Sequence, residues 1–256
     1  MKTRSMLIKL SKQFPKKIAK KNHDFVGLMV GKLPLEVNKV LLCLDFDDQI
    51  LDEALKIKPD LIITHHPFFF GSKAKILRFN ENKRLINDTL VKNNIALYSM
   101  HTNFDEGEGG MNDALAELLN LNDVYAPSLE PMMRIGTLSY AMSIEEFANY
   151  AKNNLRVDYA LLVKGNDNLI KKVAIIGGGG SRRHEIAQTE GADIYISGDA
   201  PHYVRRDIIL EKFNYLDVPH EVERAFMPQL AKILKKMDPN MEITILDHEI
   251  MPKVIK

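Results

Sequence analysis

The chain has 256 residues, of which 45% are hydrophobic and 27% charged, with 35 basic against 34 acidic side chains. This composition is typical of a globular protein with one large or two small domains, and the balanced charge argues against nucleic acid or an anionic membrane as a partner. The single cysteine, Cys43, excludes an internal disulfide and a thiolate metal cluster. No apolar run reaches the length of a membrane span, and residues 1–21 lack the apolar core of a secretory signal, so we expect a cytoplasmic protein.

Strand and helix patterns alternate through the first half of the chain. Apolar residues at helical spacing predict a helix over 5–21 that is interrupted at Pro15. Strand, helix and strand over 37–64 form a βαβ unit, which predicts parallel pairing of its two strands. The predicted strands are 24–31, 37–46, 60–64 and 95–100, and the predicted helices are 48–58, 80–94 and 112–119.

The pattern weakens around residues 125–131, where two prolines fall close together, and this predicts a domain junction. We expect one domain formed by 1–127 and 200–256, which contains the candidate ligands described below, and a second, smaller α/β domain at 128–199. The predicted strands beyond the junction are 136–142, 159–163, 172–176, 192–197, 215–218 and 242–246. The predicted helices are 143–154, 181–190, 203–213 and 224–237.

Two adjacent histidines follow the predicted strand 60–64. Ligands of α/β proteins bind just past the carboxyl ends of strands, which makes His65 and His66 candidate ligands. Because successive residues of an extended strand point to opposite sides, we expect the two imidazoles to diverge and to serve two ions, or one ion and one substrate. The alternative is that one histidine lies in the core and the other on the surface.

Three further strand or loop ends carry nitrogen and oxygen ligands, namely His101 with Asp105, Asp199, and His220 with Glu223. Such ligands suit zinc, manganese, iron or magnesium. His220 and Glu223 are three residues apart at a predicted helix start, so their side chains can meet on one face. A surface ion pair or a helix cap is the alternative for each pair.

Gly177–Ser181 is a glycine-rich turn between a predicted strand and a predicted helix. Backbone amides at such a turn can bind phosphate, which makes Gly178, Gly179 and Ser181 candidate ligands. The turn has neither the lysine of a P-loop nor the spacing of a dinucleotide fingerprint. A tight turn without a ligand is the alternative.

Together these motifs resemble the Nif3-like family, whose members are often called GTP cyclohydrolase 1 type 2 homologues. Two positions depart from the family pattern: His23 stands where a tryptophan is common, and Pro219 stands where a glycine usually precedes His220. The family has a histidine a few residues after the position of Gly198-Asp199. The spacing of His202 does not clearly match it, so His202 is not included among the predicted ligands. The resemblance covers Asp24-Phe25-Val26-Gly27-Leu28, His65-His66-Pro67, His101-Thr102-Asn103-Phe104-Asp105, Gly110-Met111-Asn112-Asp113, Gly177–Ser181, Gly198-Asp199 and His220-Glu221-Val222-Glu223.

The resemblance implies an α/β fold of two interlocked domains with mixed sheets flanked by helices. It implies two divalent metal ions per chain, held by His65, His66, Asp105, His220 and Glu223. His101 would lie beside them as a ligand or as an acid/base group. The resemblance also implies a ring-shaped homohexamer whose metals face an inner cavity.

A pair of divalent ions favours hydrolysis, because such ions acidify water and clamp substrate oxygens. The expected function is a metal-dependent hydrolase, a GTP cyclohydrolase homologue, that acts on a small molecule such as a nucleotide or a related phosphorylated metabolite. The alternative is a non-enzymatic metal-binding scaffold that stores or delivers metal or binds another protein.

Overall fold

The computed structural model describes residues 1–255. These residues form two compact units: unit 1 contains Met1–Gly110 and Phe226–Glu249, and unit 2 contains Met111–Ala225 with the segment from Ile250. Each unit has a mixed sheet flanked by helices, so the predicted α/β class is confirmed. None of the helices within residues 1–255 has the length and hydropathy that a bilayer span requires.

Unit 1 is built on a five-stranded sheet. Its strands are β1 (Gly27–Val30), β2 (Lys39–Cys43), β3 (Leu61–Thr64), β4 (Ala96–Ser99) and β11 (Glu242–Ile245). Its helices are α1 (Thr3–Gln13), α2 (Lys16–Lys21), α3 (Asp48–Ile57), α4 (Lys73–Phe79), α5 (Glu81–Lys92), α6 (Thr102–Glu106) and α11 (Phe226–Met237). The strand order is β1-β4-β3-β2-β11, and only the β1–β4 pair is antiparallel.

Local sequence accounts for the helix boundaries of unit 1. Pro15 separates α1 from α2, because proline has no amide hydrogen to donate within a helix. Asp47 caps α3, since its carboxylate accepts from the amides of Gln49 and Ile50. Apolar side chains of α3 then pack on the sheet, and the predicted β2-α3-β3 unit is parallel, with Val40 opposite Leu61.

Unit 2 is built on a six-stranded sheet. Its strands are β5 (Asn122–Tyr125), β6 (Arg134–Met142), β7 (Leu161–Val163), β8 (Ile170–Ile175), β9 (Ile194–Ser197) and β10 (Tyr215–Asp217). Its helices are α7 (Met111–Leu118), α8 (Ile144–Asn154), α9 (His184–Thr189) and α10 (His202–Leu210), with 3-10 helices at Ser181–Arg183 and His220–Ala225. The order is β5-β6-β8-β9-β10-β7, in which β8, β9 and β10 are parallel neighbours.

The predicted domain boundaries at residues 127 and 199 do not coincide with these units. Strand β5 pairs with β6, and β10 pairs with β9 and β7, so residues 111–127 and 200–225 belong to unit 2. The late strand β11 pairs with β2, which returns residues 226–249 to unit 1. Strand pairing between distant segments therefore sets the units.

Candidate metal-binding site

Three histidines of unit 1 lie together at the carboxyl ends of neighbouring parallel strands. His65 and His66 follow the last residue of β3, and His101 lies two residues after the end of β4. One ring nitrogen of each lies within 4.8 Å of the others. We call His65, His66 and His101 the histidine cluster.

The adjacent imidazoles of His65 and His66 do not diverge, so that prediction was wrong. Strand β3 ends at Thr64, whose hydroxyl donates to the carbonyl of His66 at 2.8 Å, and the amides of both histidines donate to the carbonyl of Leu44. The backbone therefore turns instead of continuing the pleat. The ring centroids of His65 and His66 are 5.1 Å apart, close enough for one ion to be held by both.

An acceptor at Nδ1 orients each ring of the histidine cluster. A hydrogen bond at Nδ1 fixes the ring and its tautomer, and this presents Nε2 to a metal. The three Nδ1 atoms donate to the carbonyl of Met100 at 3.0 Å (His65), to Oδ2 of Asp45 at 2.7 Å (His66) and to Oδ2 of Asp24 at 2.8 Å (His101).

Asp105 and an aromatic wall complete the surroundings of His65. Asp105 lies on α6, is buried, and places Oδ1 3.5 Å from Nε2 of His65. The ring of His65 is fully buried and packs on Phe226, with centroids 4.9 Å apart. Phe226 packs in turn on Phe104 at 5.0 Å. Close packing of this kind leaves His65 little freedom to leave its orientation.

Asp24 is the centre of a small network around His101. Its carboxylate accepts from Nδ1 of His101, from the amide and hydroxyl of Thr102, and from the amide of Phe25. Burial acts to raise the pKa of Asp24, but the hydrogen bond and charge of His101 and the bonds from Thr102 and Phe25 hold that pKa below its usual value. Asp24 is therefore an anion that holds the His101 ring in place.

In unit 2, His220 and Glu223 meet as predicted, on the 3-10 helix His220–Ala225. Nε2 of His220 lies 3.1 Å from Oε2 of Glu223, and Nδ1 donates to Oδ2 of Asp199 at 2.6 Å. The hydrogen bond with Glu223 raises the pKa of His220 to about 9; burial opposes this shift, and the charge of Glu223 and the contact with Asp199 reinforce it. Three groups that suit a cation thus lie side by side.

The glycine-rich turn forms a seat for Glu223. Gly178 has a φ of +64°, and its lack of a side chain lets the Glu223 carboxylate approach its Cα. The amide of Gly177 donates to Oδ1 of Asn112 at 2.8 Å, and the amide of Gly180 donates to Oγ of Ser197 at 2.9 Å. Two amides of the turn are therefore engaged within unit 2. These contacts stabilise the turn, and the phosphate role of Gly178, Gly179 and Ser181 stays a prediction.

Two other residues of the predicted phosphate site, Gly179 and Ser181, lie close to Asp199. Ser181 is buried, and its hydroxyl donates to the carbonyl of Asp199 at 3.4 Å. A side chain at Gly179 would lie 3.4 Å from Oδ2 of Asp199. A carboxylate this close would repel a phosphate. His202, which the prediction left out of the ligand set, is the exposed first residue of α10.

A cavity of about 320 Å³ lies in unit 2 beside Asp199 and His220. This volume is at the lower end of the range of small-molecule sites. Polar groups of both signs line it, including Arg205, Asp217 and Glu221. Burial raises the pKa of Asp217, although the amide of Ala200 and the charge of Arg205 act to lower it.

The donor atoms in both units fit a divalent ion. Imidazole nitrogens and carboxylate oxygens are ligands of zinc, manganese and iron. Nitrogens bound to one ion at about 2.1 Å lie at most about 4.2 Å apart. The ring nitrogens of the histidine cluster lie within 4.8 Å of one another, so small movements of the side chains would let them bind a single ion. Because carboxylates hold two of the three rings at Nδ1, the surroundings also match those of known metal-binding histidines.

Asp24 and Asp45, which orient two rings of the histidine cluster, were not among the predicted site residues. A signal for Asp45 was available, because it lies just past the carboxyl end of β2, next to β3 in the sheet. Asp24 precedes β1 and gave no such signal outside the family resemblance. Its role becomes visible only when residues 24 and 101 are placed together.

The fold and these ligand clusters define the class of protein: an α/β protein of two mixed-sheet units with candidate divalent-metal ligands near strand ends. Comparison with known proteins then gives the family. The chain belongs to the Duf34/NIF3 (NGG1p interacting factor 3) family, whose sequence profile matches residues 1–252. The resemblance predicted from the motifs is thereby confirmed.

Individual relatives agree with this assignment. A Clostridium perfringens protein named GTP cyclohydrolase 1 type 2 homolog is 33% identical over 229 residues, which cover 87% of this chain and 86% of the relative. A Lactococcus lactis protein of the same name is 32% identical over 247 residues, which cover 95% of each chain. The crystal structure of a Bacillus cereus protein related to NIF3 matches with a TM-score of 0.88 at 22% identity, covering 100% of this chain and 99% of that one, and it supports the fold.

Proposed function

We propose that the chain binds two divalent metal ions and is a hydrolase that acts on a small molecule, a nucleotide or a related phosphorylated metabolite. The proposed metal ligands are His65, His66, Asp105, His220 and Glu223. The observation that carries the proposal is the histidine cluster, whose rings lie together and are each held at Nδ1 by an acceptor. Zinc, manganese, iron and magnesium are the candidate ions.

The proposed ligands include both charged carboxylates and imidazoles, which have different roles. Asp105 and Glu223 offset the positive charge of the ions, while His65 and His66 supply neutral nitrogen ligands. Ions bound by these residues would supply Lewis acidity to substrate oxygens and would lower the pKa of water.

His101 is assigned the acid/base role because of its contact with Asp24. Its Nδ1 is held at 2.8 Å from Oδ2 of Asp24, so Nε2 is the atom that would exchange a proton with substrate or water. Imidazole is the commonest general acid or base in enzymes, and the hydrogen bond at Nδ1 fixes the ring orientation that leaves Nε2 available. Thr102 fixes the same carboxylate through its hydroxyl at 2.7 Å.

The cavity beside His220 is where we place the substrate. A nucleotide carries ring donors that suit the carboxylates of Asp217 and Glu221, and phosphates that suit the guanidinium of Arg205. The cavity volume of about 320 Å³ fits a nucleotide base more readily than a whole nucleotide. The homohexamer implied by the family resemblance and the cytoplasmic location expected from the sequence remain part of this proposal.

The test is turnover by purified protein loaded separately with each candidate metal. It would be incubated with GTP and a panel of nucleotides and phosphorylated metabolites, and product formation would be followed by chromatography. We expect turnover of at least one compound and its loss in His65→Ala and Glu223→Ala. The exposed Asp52→Asn on α3 is the control and should retain activity.

Metal analysis separates the hydrolase from the non-enzymatic scaffold. Up to two metal equivalents per chain should be present, and they should fall in His66→Ala. Tight metal binding without turnover across the whole panel would overturn the hydrolase and leave the scaffold. Unchanged metal content in His66→Ala would show that the ligands are wrongly assigned.

A further inference from the structure

A separate group of metal-type ligands lies in unit 2, at the first residues of α9 and just after the last residue of α10. It contains His184, Glu185 and Glu211, and one ligand atom from each lies within 4.8 Å of the others. None of the three belongs to the ligand set of the proposed hydrolase. The proposed function also assigns them no other role.

His184 is buried and oriented as a metal-binding histidine would be. The residue is only 4% exposed, and its Nδ1 donates to the carbonyl of Ser181 at 3.2 Å. That bond fixes the tautomer and makes Nε2 the acceptor atom of the ring. Nε2 is buried, yet it makes no hydrogen bond to any atom of residues 1–255. A buried polar atom in this condition calls for a ligand.

The distance between Glu211 and His184 is the distance expected for two ligands of one metal ion. Oε2 of Glu211 lies 3.3 Å from Nε2 of His184, but the contact does not meet hydrogen-bond geometry, so Nε2 has no hydrogen-bond partner within residues 1–255. Two ligands bound tetrahedrally at about 2.1 Å are about 3.4 Å apart. The observed separation thus matches the edge of a metal site.

The carboxylates give the group access to solvent. Glu185 and Glu211 are both exposed, so an ion can enter and water can occupy the remaining coordination position. One imidazole nitrogen and two carboxylate oxygens favour a transition ion such as zinc over calcium or magnesium, which prefer oxygen ligands. The alternative is a simple ion pair between protonated His184 and Glu211. It would require an N–H directed at Oε2, which the geometry lacks.

We propose that His184, Glu185 and Glu211 bind a divalent transition-metal ion that joins the start of α9 to the end of α10. The site is independent of the proposed hydrolase centre and shares no residue with it. Its role is structural, because the ion would hold the ends of two helices that flank the parallel strands of unit 2.

The direct test is a crystal of the full chain soaked in zinc. Anomalous difference maps should show a peak about 2.1 Å from Nε2 of His184 and within bonding distance of Glu185 and Glu211. A map with zinc at other positions but none at His184 would overturn the proposal. A peak held by the carboxylates alone would overturn it as well.

The solution test is equilibrium dialysis against zinc. Glu211→Gln should lower the zinc content by one equivalent per chain, or weaken that one binding class at least tenfold, and His184→Gln should do the same. Asp207→Asn, which removes an exposed carboxylate from the same helix α10, is the matched control and should bind as the parent does. Glu211 is exposed, so its variant tests binding even if His184→Gln fails to fold. Equal zinc content in Glu211→Gln and the parent would refute the site. Because the proposed hydrolase metals have other ligands, their loss would lower the zinc content of both proteins equally and leave this comparison unchanged.

Discussion

Alanine at position 178 tests whether the glycine-rich turn seats the Glu223 carboxylate. A Cβ built on Gly178 would overlap Oε1 of Glu223 and lie 2.8 Å from its Cδ. The carboxylate is the end of a flexible side chain, so we expect it to move instead of the backbone. Glu223 would then leave the position in which it contacts His220.

The size of the effect has two parts. Gly178 has a φ of +64°, and a left-handed conformation costs a residue with a side chain about 1–2 kcal/mol. Gly191 has a φ of +75° with no atom of the described chain within 4 Å of its would-be Cβ. Gly191→Ala therefore has the same kind of backbone strain as Gly178→Ala but displaces no ligand side chain. Moving a ligand should weaken metal binding by about tenfold to a hundredfold, which corresponds to about 1.4–2.8 kcal/mol.

Two measurements separate these parts. Urea unfolding should show a similar loss of stability in Gly178→Ala and Gly191→Ala. Competition with a chromophoric chelator should show weaker metal binding in Gly178→Ala alone. If both variants bind metal as the parent does, Glu223 is either not a ligand or not seated by the turn, and the reasoning is refuted.

Three further perturbations follow from contacts within single units. Asp24→Asn removes the anion that orients His101, and turnover should fall about tenfold to a hundredfold with an unchanged circular dichroism spectrum; full activity would contradict the assigned role. Asp113→Ala removes both oxygens that accept from buried Arg134, at 2.6 and 2.9 Å, and should cost about 2 kcal/mol in urea unfolding because buried donors lose their acceptor; a cost below about 0.5 kcal/mol would contradict it. Burial, reinforced by nearby carboxylates, raises the pKa of Cys43 well above its usual value. Because the thiolate is the reactive form, a thiol reagent at pH 8 should label this residue only when the chain is unfolded, and rapid labelling of the native protein would show that the thiol is accessible.

Periodic segments of the sequence predicted their own structures. The break at Pro15, the cap at Asp47 and the parallel pair β2–β3 were all visible in local patterns. Ser143, the first residue of the predicted helix 143–154, caps α8, and Glu146 completes a capping box. In these places the local preference and the tertiary structure agree.

Short or exposed elements gave no pattern to detect. Helix α6 has only five residues, which is too few for helical periodicity. Every residue of strand β5 is exposed, so it lacks the alternation of a half-buried strand. Helix α4 contains no buried residue, which removes the apolar stripe that would have predicted it.

The candidate site could be predicted by residue type but not by geometry. Strand ends identified the histidines and the pair His220 and Glu223. The divergence expected for His65 and His66 assumed that β3 continues through them, whereas the chain turns after Thr64. Asp45 lies 21 residues from His66, and Asp24 lies 77 residues from His101. No local sequence pattern predicts contacts at these separations.

The insertion of unit 2 into unit 1 imposes an order on synthesis. Strand β11 lies at the edge of the first sheet, parallel to β2, but the ribosome makes it only after all of residues 111–225. At about 5–20 residues per second, translation of that interval lasts on the order of ten seconds. During this delay the hydrogen-bonding edge of β2 is open to other nascent chains, so a chaperone that covers this edge would improve the yield of native protein.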